Sequence, residues 1–265
     1  MIRDITICKY YQTDSVINRL DPRVKLGGTL LYIVTLFLIG NVWGYLLATL
    51  ALAAVIKLSK VPFGFITRGM RAIGMLLVIT VVFNMFLTPG TPIFSFWIFT
   101  LTWEGLRTAA FMGWRLCLLI IGSSLMTLTT TPNHLTDGME KALRPLNKIG
   151  VPVHEIAMMM SISLRFIPIL LEETDKIMKA QIARGADFES GNIIQKAKAM
   201  VPLLVPLFIS AFRRANDLAM AMEARCYRGG EYRTKMKPLI YRKADKLGYL
   251  CIFVAMAVMI AVGRL

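Results

Sequence analysis

LGGTLLYIVTLFLIGNVWGYLLATLALAAVI, Leu26 to Ile56, runs for 31 residues without one charged side chain. A single helix through it would be about 46 Å long, against a hydrocarbon core of roughly 30 Å. Gly40-Asn41-Val42-Trp43-Gly44 offers a break in the middle, so the run predicts two short membrane spans, near 26–40 and 44–57. Reading outward, residues 72–103 are again uncharged, but Pro89-Gly90-Thr91-Pro92 stops a third span near Leu87. The remainder, Ile93 to Trp103, is rich in Phe and Trp and suits an interfacial aromatic belt. A fourth span is expected from about Arg107 to Thr130 and a last one from Leu247 to Val262.

Composition agrees with a membrane chain. Over 265 residues the hydrophobic content is 56% and the mean hydropathy +0.59, too apolar for an ordinary soluble domain. The net charge is nevertheless +15. Of the 31 Lys and Arg, 28 fall in residues 1–25, 57–71 and 131–246, while the two connections between these regions across the other side carry none. Under the positive-inside rule this asymmetry puts the N-terminus and the 131–246 block in the cytoplasm. The expected division is a membrane region at 1–130 with four spans, a cytoplasmic and juxtamembrane block at 131–246, and a C-terminal span at 247–265. The polar start, Met1 to Lys25, lacks the apolar core of a secretory signal, so the first span is expected to do the targeting.

The 131–246 block reads as helices. Thr131-Pro132 resembles an N-cap with proline at the first helical position, and this helix ends at Leu143-Arg144-Pro145 or at Gly150. A second helix is predicted from Pro152-Val153 to Arg184, with Gly185 as its stop and Pro168 as a kink. A third covers about Ile193 to Tyr227, with Pro202 and Pro206 inside it and Gly229-Gly230 at its end. At 1.5 Å per residue each long helix reaches roughly 50 Å, a lever more than a packed globule.

Catalytic chemistry finds little support. The sequence has no GxxxxGK[ST] phosphate loop, no HExxH and no GxSxG. His134 and His154 are isolated, and Cys8, Cys117, Cys226 and Cys251 show neither a disulfide framework nor zinc spacing. No metal site is expected. The 17 methionines, Met158, Met159, Met220 and Met222 among them, suit an adaptable apolar surface better than a soft-metal site. Arg115 lies inside the fourth span, where it marks a transport pathway or, as favoured here, snorkels outward or bonds a carbonyl within the bundle. No Asp or Glu occurs in any expected span, which argues against a proton relay.

Two helix ends carry the functional signal. Ala183-Arg184-Gly185 and Ala224-Arg225-Cys226 lie 41 residues apart and follow similar runs. One such end is a helix cap whose arginine complements the dipole. A pair of them suggests two guanidinium tips aimed at two similar receptors, with small flanking residues permitting close approach.

With these residues the chain resembles the transmembrane T component of energy-coupling-factor transporters, the vitamin- and metal-importing branch of the ATP-binding-cassette class. The likeness covers nearly the whole length: Leu20-Asp21-Pro22-Arg23, Thr130-Thr131-Pro132, Ser163-Leu164-Arg165-Phe166-Ile167-Pro168, Ala183-Arg184-Gly185-Ala186-Asp187 and Ala221-Met222-Glu223-Ala224-Arg225-Cys226-Tyr227. Cys226 departs from the family's glycine, and cysteine lacks glycine's freedom at positive φ. The resemblance implies an all-α integral membrane protein with about five transmembrane helices plus long cytoplasmic coupling helices that cross as an X. It implies a multi-pass protein of the plasma membrane, nearer the shared module than a dedicated one.

By the same resemblance, Ala183, Arg184, Gly185, Ala224, Arg225 and Cys226 would dock two cytoplasmic ATPase subunits. Arg165, Pro168, Met158, Met159, Met220 and Met222 would lie on the coupling helices against a membrane-embedded substrate-binding S component. The chain itself would be non-catalytic and hold no cofactor, with ATP and Mg on the partner ATPases. The alternative is a self-sufficient permease whose cytoplasmic block is regulatory. A nucleic-acid partner is not expected, since the 19 Lys and Arg of the block are interleaved with 12 Asp and Glu.

Overall fold

A computed structural model describes residues 10–96, 99–188, 192–229 and 239–264. The chain forms two compact units, one of Cys8–Gly138 with Leu239–Leu265, the other holding Met139–Pro238. In the first, α1 (Pro22–Leu38) and α2 (Val42–Ser59) divide the long uncharged run where the sequence offers its break. Helix α1 starts ahead of the apolar run because Asp21 caps it, accepting from the Arg23 N–H at 2.9 Å, with Pro22 preset for the first helical position. It stops where Ile39 turns extended, at φ −83° and ψ 126°.

Helix α3 (Phe63–Leu87) ends at the expected residue but begins well before the uncharged run, carrying Arg68 and Arg71 within it. Charges interrupt a hydropathy run without breaking a helix. Between α3 and α4 (Trp103–Thr129), the aromatic belt takes the form of a hairpin, β1 (Pro92–Phe96) paired antiparallel with β2 (Phe99–Thr102). Its base is pinned by polar bonds. Glu104 accepts from the Thr91 N–H at 2.8 Å and hydroxyl at 3.0 Å, and the Thr102 hydroxyl donates to the Thr88 carbonyl at 2.8 Å. Apart from this hairpin, the described residues build an all-α membrane protein. Helix α8 (Lys243–Arg264) closes the unit.

The core sits where α1, α2, α4 and α8 meet: Leu36, Ile39, Tyr45, Ala48, Leu52, Leu118 and Met259 are buried together. Gly122 permits the close approach of α1, since a Cβ there would stand 2.7 Å from the Tyr32 ring. The break between α1 and α2 leaves the Ile39 carbonyl without a helical partner in an apolar surround. Arg115 resolves this by bonding within the bundle. Its Nε donates to the Tyr45 hydroxyl at 2.7 Å and an Nη to the Ile39 carbonyl at 3.3 Å, while the same hydroxyl donates to that carbonyl at 3.2 Å. Arg115→Met should therefore destabilise the bundle by about 2 kcal/mol, and Tyr45→Phe by less, because the arginine still serves the carbonyl. Thermal unfolding of the two variants in detergent checks the order.

The second unit contains the long helices. Helix α5 (Pro132–Leu143), which begins in the first unit with Thr131 accepting from the His134 N–H, passes into a 3-10 turn, Arg144–Ile149, that stops at Gly150 with φ 87°. Both expected endings are thus used in succession. Helix α6 (Val153–Ala183) and helix α7 (Ile193–Ala224) follow.

By length and composition, five helices can cross a membrane: α2, α4, α6, α7 and α8. Helix α1, at 17 residues, and α3, whose apolar part is Ile73–Leu87, are shorter by that measure. The sequence assigned its spans to α1, α2, α3, α4 and α8, so the two sets share α2, α4 and α8. Length alone does not choose between them.

Candidate functional site

Helices α6 and α7 pack antiparallel. Gln181 of α6 donates its Nε2 to the Pro202 carbonyl of α7 at 3.3 Å. Eight residues back along α6, Glu173 meets residues farther along α7: it accepts from the Ser210 hydroxyl at 2.6 Å and pairs with Arg214 at 2.8 Å. The first contact has a backbone cause. Pro206 has no N–H, so the Pro202 carbonyl four residues earlier loses its helical donor, and Gln181 supplies one from outside.

The two arginine ends terminate in the same way. At the end of α6, the Gly185 N–H donates to the Ile182 carbonyl at 2.9 Å and the Ala186 N–H to Gln181 at 3.0 Å. At the end of α7, the Cys226 N–H donates to Glu223 at 2.8 Å and the Tyr227 N–H to Met222 at 3.0 Å. Both are Schellman closures, with Arg184 and Arg225 as the C-caps. The residue after each arginine is left-handed: Gly185 at φ 87° and Cys226 at φ 57°. Helix α7 therefore ends at Ala224, ahead of the expected Gly229-Gly230, because Cys226 takes the glycine's place.

Ala183, Arg184, Gly185, Ala224, Arg225 and Cys226 are all exposed. Among the described residues neither guanidinium has an ion-pair partner. The structure brings each triplet together but holds the two apart. Arg184 lies just past Gln181, beside Pro202, and α7 runs about 35 Å from Pro202 to Arg225. Two similar charged tips thus face outward at opposite ends of one helix pair.

A left-handed cysteine stores strain that glycine avoids. Cys226→Gly is expected to stabilise the end of α7 by about 1 kcal/mol. The readout is slower amide exchange at residues 226 and 227, whose N–H groups close the motif.

The remaining site residues of the sequence lie along the same pair. Arg165 and Pro168 are exposed on α6, Met158 is half-buried and Met159 exposed. On α7 Met220 is exposed and Met222 half-buried. Since the helices are antiparallel, the four methionines share one end of the pair, the end of Arg225. Sequence reasoning missed a second apolar feature. Val201, Leu204, Val205, Phe208, Ile209 and Phe212 are all about half exposed or more, and Phe208 and Phe212 pack with ring centroids 5.3 Å apart. Their i, i+4, i+7 spacing puts them on one stripe of α7, which was legible as a helical face. Gln181, Glu173, Ser210 and Arg214 were missed too, though prolines four apart signalled a carbonyl in need of a donor. Among the described residues no group of three or more His, Cys, Asp or Glu could hold a metal ion.

Known proteins share this arrangement of sequence. The family described as CbiQ, cobalt transport protein, matches residues 13–236. A protein of Clostridium kluyveri named energy-coupling factor transporter transmembrane protein EcfT is 56% identical, over 98% of this chain and 97% of its own. A protein of the same name from Thermosediminibacter oceani is 53% identical over 94% of each chain. Another, from Bacillus subtilis, is 49% identical over 92% of this chain and 93% of its own.

Proposed function

Because the chain belongs to the family of energy-coupling factor transporter transmembrane proteins, we propose that it is the coupling subunit of an importer powered by separate ATPases. Arg184 and Arg225 each enter a groove on one of two cytoplasmic ATPase subunits, which carry the ATP and Mg. Closure of the ATPase pair moves α6 and α7, and the motion tilts a membrane-embedded S component that holds the vitamin or other micronutrient. Specificity then belongs to the S component, and this chain catalyses nothing. The 131–246 block faces the cytoplasm with the N-terminus, in the plasma membrane, as the charge asymmetry of the connections favours.

One observation carries this reading: two helix ends of identical closure, each presenting an exposed arginine, at opposite ends of an antiparallel pair. Two separated, equivalent tips suit two equivalent receptors. The exposed stripe of Phe208 and Phe212 and the methionines Met158, Met159, Met220 and Met222, with Arg165 and Pro168 on the same helix pair, supply apolar, adaptable surface for the S component.

The self-sufficient permease makes the opposite demand. Purified alone into liposomes, a permease moves substrate without ATPases; the coupling subunit moves none until ATPases, an S component and ATP are all supplied. Transport by the chain alone would overturn the proposal.

A further inference from the structure

The turn Leu20-Asp21-Pro22-Arg23 lies outside the two arginine triplets, yet it holds a largely buried polar network of the first unit. The chain leaves that unit after Gly138 and returns at Leu239. Both passages are fastened to this one turn. On the outgoing side, buried Gly138 lies so close that a Cβ there would stand 3.2 Å from the Pro22 side chain and 3.5 Å from the Arg23 nitrogen. Lys25, next along, donates to the Thr129 carbonyl at 2.9 Å, at the end of α4.

On the returning side, Arg23 donates to the Leu239 carbonyl at 3.1 Å, and its guanidinium carbon sits 4.0 Å from the Tyr241 ring centroid. Asp245 joins the turn directly to the start of α8. One of its oxygens accepts from the Asp21 N–H at 2.8 Å, and the other accepts from the Arg242 N–H at 2.7 Å, capping the start of α8. Asp21 in turn holds the Arg23 fork through both oxygens, at 3.2 Å each. Asp21 is 7% exposed and Asp245 3%.

Burying two carboxylates this fully beside a part-buried guanidinium is a poor route to stability, since desolvation offsets most of the attraction. Such a network does fix geometry, because its directional bonds tie the turn both to Leu239 and to the start of α8. A lever delivers force only if its attachments do not yield. We propose that Asp21, Arg23 and Asp245 are positioning residues that make one rigid joint of both passages. Displacement of the 139–238 unit then moves the membrane helices instead of being absorbed where the chain crosses. This rests on the coupling reading given above.

The test uses the complete complex, with ATPases and S component, in liposomes. Two variants probe the joint: Asp245→Asn, which turns one of the two acceptors into a donor, and Arg23→Lys, which keeps the charge but loses the fork. The quantity measured is substrate imported per ATP hydrolysed, which a simple loss of folded protein does not change. Both variants should assemble with the ATPases and hydrolyse ATP, with the import ratio falling roughly fivefold or more. An unchanged ratio would overturn the proposal. So would failure of both variants to assemble, which would make the network structural only. The unsubstituted complex separates this from the coupling reading: if it binds no ATPases at all, that reading fails first.

Discussion

Replacing Arg184 and Arg225 together by alanine should abolish docking of the ATPases and, with it, uptake. Both side chains are exposed, and among the described residues neither has an ion-pair partner, so their removal breaks no ion pair seen there. Once a guanidinium is enclosed by a groove and bonded to a carboxylate, truncation leaves that carboxylate buried and unpaired. That costs about 2–5 kcal/mol per site, which weakens each contact by factors of roughly 30 to several thousand. Each single variant should retain one anchored end and show reduced association, since the second contact forms at high effective concentration only after the first. Lysine should not substitute well, because it lacks the planar fork. Co-purification of the ATPases with each variant, followed by uptake assays, gives the ranking directly. Full uptake by the double variant would contradict the reading of the tips.

The second large effect is expected at the contact between the two helices. Glu173 gathers Ser210 and Arg214 at 2.6 and 2.8 Å, and with the Gln181 bond it makes the polar contacts that set how α6 lies across α7. If the tips must match two receptors, the helix pair has to hold their separation. Glu173→Ala removes one acceptor for two donors and should let the helices slide or rotate. Spin labels at residues 183 and 224 should report a broader distance distribution, and coupled uptake should fall by roughly tenfold. The reversed pair, Glu173→Arg with Arg214→Glu, should recover part of both. A sharp, unchanged distribution in Glu173→Ala would show that the pair is held by apolar packing alone.

Much of the architecture was legible in the uncharged runs. The break at Gly40-Asn41, the stop at Leu87 and the cap at Thr131-Pro132 follow from local rules that the surrounding structure does not override. Three features were not legible, each for a physical reason. The start of α3 was hidden because Arg68 and Arg71 break a hydropathy run but not a helix. The hairpin at Pro92–Thr102 was hidden because uncharged aromatic residues serve a belt and a strand equally well. The end of α7 was left between Ala224-Arg225-Cys226 and Gly229-Gly230 because glycine is the usual left-handed residue, and the closing bonds from Cys226 and Tyr227 choose the first. The site was legible as two triplets and not as one device. Their placement at opposite ends of an antiparallel pair depends on Gln181, Glu173 and Arg214, which in sequence are ordinary members of a charged stretch.

The central claim is that the arginine tips stand in the cytoplasm within reach of the ATPases. Cys226 is exposed and adjoins Arg225, which makes it a native reporter of that position. With Cys8, Cys117 and Cys251 changed to serine, a membrane-impermeant maleimide is applied to sealed vesicles of both orientations. Labelling of Cys226 is expected in inside-out vesicles only, and bound ATPases should suppress it. Labelling in right-side-out vesicles would contradict the account, because no cytoplasmic ATPase could then reach the tips.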